Sequence, residues 1–357
     1  MSEKKPDFFI AGAARCGTTA LWYCLKENPG VFMPKEMLLK EPAFFSGLKK
    51  SRFNKWADYS ELFSAADASH RRVGEASTAY LTDEESPGRI HDYDRDAKII
   101  ISLRNPVSRA YSLYNWMVQD GYEYAGTFEE ALKLEEMRAH KKIPNYFEPE
   151  YYHNYMYFHS GLYYAQVKRY IDLFKKNVLL VKFDNFIKNF EVEYERICGF
   201  LGVEAGPPRQ IPKNESFAVI SPQVQFLLRK LTTFYLSGGI RPGETGNNKD
   251  EADFRGKLHL EITKQIDSLQ EVVHTGMFGR FKLFRRLKKI TRDFHTAGLQ
   301  VNWDSKEIRD ALLKYGLQNH PPGKINEETA ARLKEKYKPD IRKLCDYSGM
   351  DFTDWIQ

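Results

Sequence analysis

An α/β fold of the P-loop type, three layers with a parallel sheet between helices, is predicted for this 357-residue chain by three observations. Short continuous apolar runs alternate with segments of helical periodicity, the pattern of a sheet covered on both faces. A glycine-containing turn joins the first apolar run to the first helix. Charged and hydroxyl residues gather just after the apolar runs, where sheets of this kind bind ligands.

The elements follow in order. Phe8-Phe9-Ile10-Ala11-Gly12 reads as a buried strand, and Thr18 to Glu27 as a helix with Leu21, Cys24 and Leu25 on one face. Asn28-Pro29-Gly30 stops that helix. Val73 to Ser77 reads as a strand edge, and Lys98 to Leu103 as an interior strand. Pro106 then opens a helix carrying Val107, Ala110, Tyr111 and Tyr114. A helix from about Tyr163 to Phe174 precedes a strand over Asn177 to Phe183, and a helix from Glu327 to Leu344 closes the chain. One domain over 1–357 is expected, with 231–301 as a helical insertion or lid.

Composition narrows the function. Hydrophobic residues make up 42% and charged residues 29%, the balance of a soluble globular protein. A net charge of +6 suits an anionic ligand but, unclustered, does not indicate a nucleic-acid polymer. Cys16, Cys24, Cys198 and Cys345 form no C-x-x-C pair, so a reducing, cytoplasmic location is expected. No apolar run reaches the ~18 residues of a membrane span. The basic, Phe- and Leu-containing stretch 278–294 fits an amphipathic helix packed on the domain, with membrane contact or a lid over the acceptor as alternatives.

The chemistry concentrates in Gly12-Ala13-Ala14-Arg15-Cys16-Gly17-Thr18-Thr19. Gly-x4-Gly followed by two hydroxyl residues, between strand and helix, is the spacing of a loop that cradles phosphate with backbone N–H groups. Thr18 stands where a nucleoside triphosphatase has its lysine, and the cation lies at Arg15 instead. The strand ending at Leu103 delivers Arg104 where a magnesium-holding aspartate would be needed. Asp184, after the last strand, keeps a P-loop kinase open as an alternative. Ser112 lies two turns into the Pro106 helix, so Arg104 and Ser112 make a second anion site beside the loop. Two anion sites match a nucleotide phosphorylated at both its 5′ and 3′ positions.

With these residues the sequence resembles the sulfotransferase family. G-A-A-R-C-G-T-T-A-L at 12–21 looks like its 5′-phosphosulfate loop, and I-I-I-S-L-R-N-P-V-S-R-A-Y-S-L-Y at 99–114 like its 3′-phosphate segment. K-E-P-A-F-F at 40–45, G-E-A-S-T-A-Y at 74–80, G-L-Y at 161–163 and the helical stretch after Pro322 add to it, over roughly 7–205 and 317–347. The resemblance implies a donor, 3′-phosphoadenosine 5′-phosphosulfate, released as adenosine 3′,5′-bisphosphate, and no metal. It implies that Arg15, Cys16, Gly17, Thr18, Thr19 and Ala20 wrap the phosphosulfate, that Arg104 and Ser112 hold the 3′-phosphate, and that Lys324 contacts the nucleotide. Many members have lysine at the position of Arg15; arginine keeps the charge but cannot give up a proton. Glu41 matches the glutamate that serves as base in the heparan-modifying branch, while Ala43 replaces a frequent histidine.

Arg15 and Glu41 are therefore the expected catalytic residues. Glu41 could equally pair with Lys35 or Lys40, and His159 is an alternative base. The expected acceptor is a hydroxyl or amine of a small molecule, a secondary metabolite, with a glycan or lipid as the alternative. A nucleotide-binding module without turnover is the remaining reading.

Overall fold

The computed structural model describes residues 5–36, 39–47, 53, 55–123, 125–140, 153–206, 218–219, 317–318 and 323–357. The insertion expected at 231–301, with the basic stretch 278–294, lies outside these residues. The chain divides into two units. The first comprises 1–114, 127–215 and 324–357, and the second 115–126 and 216–323.

The first unit is built on five parallel strands, β1 (Phe8–Gly12), β2 (Val31–Phe32), β3 (Arg72–Ala76), β4 (Lys98–Leu103) and β5 (Val178–Lys182). They are ordered β2-β3-β1-β4-β5. Helices in chain order are α1 (Thr18–Lys26), α2 (Trp56–Ser60), α3 (Ala79–Thr82), α4 (Ser86–Tyr93), α5 (Pro106–Gln119) and α6 (Phe128–His140). They continue as α7 (Tyr163–Phe174), α8 (Phe183–Lys188), α9 (Phe190–Leu201) and α10 (Glu327–Ser348). Side chains alternate across a strand, so β1 feeds two cores. Phe8 and Ile10 join Ile100, Ala76 and Val181 against Leu21, Trp22 and Leu25 of α1 and Ile197 and Leu201 of α9. Phe9 faces the other way, edge-on to Phe45, Tyr80 and Tyr93. Layers on both sides explain why β1 and β4 read as unbroken apolar runs. Gly74 on β3 pairs with Phe8, and any Cβ there would enter the Phe8 ring, so β3 can approach β1 only with glycine at that position.

The order places the sequence-first strand in the middle, with β3 on one side and β4 on the other. The crevice beyond the carboxyl ends of β1 and β4 is the switch point where such sheets bind ligands. In the second unit the described residues include an antiparallel pair, Ala218–Val219 with Leu317–Gln318, and Trp116 beside Tyr122 with ring centroids 5.7 Å apart. Among the described residues, no helix is long and apolar enough to cross a membrane.

A carboxyl group of the sheet sits inside this apolar frame. Glu75 of β3 is fully buried and accepts hydrogen bonds from the hydroxyls of Tyr59 (2.8 Å), Tyr80 (2.6 Å) and Ser77 (2.6 Å). Ser77 Oγ in turn accepts from the Ala43 N–H at 2.9 Å, and Tyr80 from the Phe45 N–H at 3.3 Å. The network thus ties segment 41–45 to the sheet. It also suits Ala43, which holds a left-handed φ of 51°. Burial pushes the Glu75 carboxyl up to about 7; the three hydroxyls oppose the rise and the nearby charge of Glu41 adds to it.

A carboxyl that titrates higher folded than unfolded binds more protons in the folded state, so its stability contribution falls as pH rises between the two values. Comparing the parent with Glu75→Gln by urea unfolding isolates that contribution. The parent should lose roughly 3 kcal/mol relative to the variant between about pH 4.5 and 7, and little beyond. A pH-independent difference would show that Glu75 does not titrate there.

Candidate active site

The loop after β1 is shaped by two residues in left-handed conformation, Arg15 (φ 66°) and Gly17 (φ 77°). Gly17 is needed twice over. Its φ favours glycine, and a Cβ there would stand 2.6 Å from the Phe183 ring. The loop is stitched to β4: Ala13 N–H donates to Ser102 O at 2.8 Å, and Ser102 Oγ donates to Cys16 O at 2.6 Å. Gly17 is also the residue before α1, whose first helical bond runs from Leu21 N–H to Gly17 O. No side chain caps α1, and its first turn holds no acidic residue. The N–H groups of Thr18, Thr19 and Ala20 therefore form the positive end of a helix at the mouth of the crevice. Thr18 and Ala20 are buried, and Thr19 is half-buried.

Arg104 and Ser112 reach the same place from β4. Asn105 Oδ1 accepts from the N–H groups of Val107 (3.0 Å) and Ser108 (3.2 Å), which starts α5 beside Pro106. Arg15 Nε donates to Ser112 Oγ at 3.2 Å. The two groups of residues expected from the sequence to bind anions are thus joined, because the loop cation rests on the hydroxyl of Ser112. The Arg104 guanidinium lies 5.1 Å from the centre of the Phe183 ring, the same ring that Gly17 makes room for. Its carbonyl accepts from Tyr163 OH at 2.9 Å, and that hydroxyl is 4.0 Å from Cys16 Sγ. Burial pushes the Cys16 thiol up, against the opposing charges of Arg109 and Arg104, so it stays a neutral packing group rather than a nucleophile.

Glu41 is half-exposed and held at both carboxylate oxygens. Lys40 Nζ meets Oε1 at 2.7 Å, and Thr78 Oγ1 donates to Oε2 at 2.9 Å. Lys40, rather than Lys35, is therefore its basic partner, and that lysine is itself buried, 4% exposed. Consecutive residues Ser77 and Thr78 thus fix the backbone of Ala43 and the carboxylate of Glu41.

The other expected residues make no hydrogen bond or ion pair with the loop among the described residues. Lys324 is exposed, three residues before α10, and no hydrogen bond or ion pair joins it to the loop among the described residues. Asp184 lies in the first turn of α8, not at the end of β5, because the strand stops at Lys182. His159 is paired with Glu135 rather than with Glu41 or Arg15. No group of three metal-ligating side chains occurs among the described residues.

Sequence reasoning missed Phe183, Tyr163 and Arg109. Arg109 is fully buried one turn before Ser112 and donates to Tyr157 O (2.6 Å) and Ser160 Oγ (2.9 Å), fixing α5 against segment 157–163. An arginine among the apolar positions of α5 was its signal in the sequence. Phe183 carried none, since it read as the last residue of a strand.

Known proteins similar to this chain are sulfotransferases. A sulfotransferase crystal structure from Alicyclobacillus acidocaldarius is 29% identical, with a TM-score of 0.52 over 79% of this chain and 99% of that one. The membrane-associated sulfotransferase kil1 of Dictyostelium discoideum is 27% identical over 114 residues. Heparan sulfate glucosamine 3-O-sulfotransferase 6 of Homo sapiens is 34% identical over 109 residues. These segments are 32% and 30% of this chain, and they span only 23% and 30% of those two proteins. The sulfotransferase domain family matches over residues 5–275, taking in the loop, both arginines, Ser112 and Glu41. The chain belongs to the sulfotransferase domain family.

Proposed function

We propose that this protein transfers a sulfuryl group from 3′-phosphoadenosine 5′-phosphosulfate to a hydroxyl, or an amine, of a small-molecule acceptor such as a secondary metabolite. The observation that carries the proposal is the Arg15–Ser112 hydrogen bond, which joins a phosphate loop to a second, arginine-bearing anion site. A nucleotide with phosphate at both ends uses both sites; a nucleoside triphosphate has no group for the second.

In this reading the loop N–H groups from Cys16 to Ala20, with the Thr18 and Thr19 hydroxyls, hold the 5′-phosphosulfate. Arg104 and Ser112 hold the 3′-phosphate, and Lys324 closes over the nucleotide from the segment before α10. The acceptor oxygen attacks sulfur in line as the bond from sulfur to the bridging oxygen breaks. The electron pair stays on the 5′-phosphate of the departing adenosine 3′,5′-bisphosphate. Arg15 and the N-terminus of α1 offset that charge where it grows, which is the electrostatic part of the catalysis. Glu41 takes the acceptor proton. Thr78 and Lys40 aim its carboxylate, and the bond to Lys40 must loosen as the proton arrives. The charge chemistry is supplied by arginines and helix N–H groups, so no metal enters.

All four cysteines are free thiols, which supports a reducing, cytoplasmic compartment. The whole chain acts as one sulfotransferase in this proposal, with 231–301 as its insertion or lid. A sugar hydroxyl is the second reading for the acceptor, favoured by the match to the 3-O-sulfotransferase named above.

Three outcomes test the proposal. Calorimetry in chelator should show adenosine 3′,5′-bisphosphate binding at micromolar affinity, about 8 kcal/mol. Arg104→Ala should weaken it by roughly 2–4 kcal/mol while barely changing a nucleotide lacking the 3′-phosphate. Equal losses would assign Arg104 to the fold, and a magnesium requirement would favour a kinase. With labelled donor and a panel of alcohols, amines and oligosaccharides, Glu41→Gln should cut turnover by roughly 10²–10⁴-fold at unchanged nucleotide affinity. Near-parental turnover would move the base elsewhere.

A further inference from the structure

A groove of about 510 Å³ lies between α6, the turn at Phe158-His159 and the first half of α10. None of its residues belongs to the loop, to Arg104 and Ser112, or to Glu41. Its wall carries a carboxylate-oriented imidazole. Glu135, 1% exposed, accepts from the N–H groups of Phe158 (2.8 Å) and His159 (2.9 Å) and meets His159 Nδ1 at 2.7 Å. Two contacts fix the backbone of the turn and the third commits Nδ1 of the ring to Glu135, while 52% of the His159 side chain remains exposed. Its other nitrogen, Nε2, is on the opposite edge of the ring. An imidazole held in this way by a buried carboxylate is preorganised to meet a ligand, and nothing in the transfer site uses it.

The surroundings set the kind of ligand. Lys133 of α6 and Arg332 and Lys336 of α10 line the groove and are exposed. With a protonated His159 they make four cations against Glu129 and Glu136, since Glu135 is taken up by the imidazole. Apolar surface comes from Leu132, Leu333 and Phe158, and Lys336 Nζ stands 5.5 Å from the centre of the Phe158 ring. The hydrogen bond to Glu135 raises the His159 pKa above 6.5, burial and Lys336 lower it, and Glu136 adds to the rise. The imidazole therefore keeps its charge to a higher pH than an ordinary histidine and loses it as the pH rises further.

We infer that this groove binds a small organic anion, a ring bearing one carboxylate or sulfate, with His159, Arg332 and Lys336 on the acid group and Phe158 beside the ring. The acid group can belong to the acceptor itself or to a separate small molecule, and the recognition chemistry is the same. The inference stands apart from the assignment of donor and base, since no residue is shared.

Benzoate, titrated into the full chain by calorimetry with the nucleotide site saturated by adenosine 3′,5′-bisphosphate, tests it. Binding in the millimolar range or tighter is expected near pH 6, with about a tenfold loss once the pH is raised far enough to deprotonate His159. Lys336→Glu and Arg332→Glu, both at exposed positions, should each weaken benzoate about tenfold at unchanged nucleotide affinity. His159→Gln should abolish the pH dependence. Labelled donor with 4-hydroxybenzoate then separates the two sources. Sulfation with a KM raised about tenfold by Lys336→Glu assigns the groove to the acceptor's acid group, whereas binding without sulfation assigns it to a separate anion. No benzoate binding, binding displaced by the nucleotide, or equal affinity in Lys336→Glu would each overturn the inference.

Discussion

The hydrogen bond from Arg15 Nε to Ser112 Oγ is the contact on which the site is organised. It spans 97 residues of sequence and links the turn after β1 to the helix after β4. Every other feature of the crevice serves that meeting. Ser102 ties the loop to β4 through its backbone carbonyl and its hydroxyl, so the loop bearing Arg15 is fastened to the strand that delivers Arg104. Gly17 lets the Phe183 ring approach, and that ring supports the Arg104 guanidinium. Arg109 and Tyr163 bind segment 157–163 to α5 and to the Arg104 carbonyl, which leaves the helix bearing Ser112 little freedom to shift.

The same logic governs the segment that carries Glu41. A parallel strand buried on both faces has no use for a carboxylate, yet β3 carries a fully buried Glu75 one residue from its carboxyl end. The cost of burying it is offset by three hydroxyl donors, and one of these also holds Ala43. Glu41 is thus presented by a segment anchored through the interior of the protein and not by a free surface loop. In the proposed reaction, preorganisation of this kind would limit the rearrangement needed as charge moves.

The sequence showed the strands well because burial on both faces leaves unbroken apolar runs, as in Phe8 to Gly12 and Lys98 to Leu103. It showed the loop because Gly-x4-Gly with hydroxyl residues has a physical meaning at a strand–helix junction. The small strand Val31–Phe32 and the short helices α2 to α4 were not legible, since two to eight residues give no clear period. Contacts across the fold were equally hidden. Arg15 and Ser112 could each be named, but nothing in their spacing put one on the other. Glu41 was read with Lys35 and Lys40 as alternative partners, and only the turn of the chain at Lys40 and Thr78 distinguishes them. Phe183 looked like the end of a strand because a ring packed on an arginine leaves no mark in a linear pattern.

The central claim is that Arg15 and Ser112 act as one unit binding a doubly phosphorylated nucleotide, and a double-mutant cycle measures it directly. Adenosine 3′,5′-bisphosphate affinity would be determined by calorimetry for the parent, Arg15→Ala, Ser112→Ala and the pair. Residues sharing a hydrogen bond and a ligand should be non-additive, with a coupling of roughly 1 kcal/mol or more that shrinks for adenosine 5′-phosphate. Strictly additive losses, or the same coupling for both nucleotides, would contradict the account, because the two anion sites would then be independent of one another.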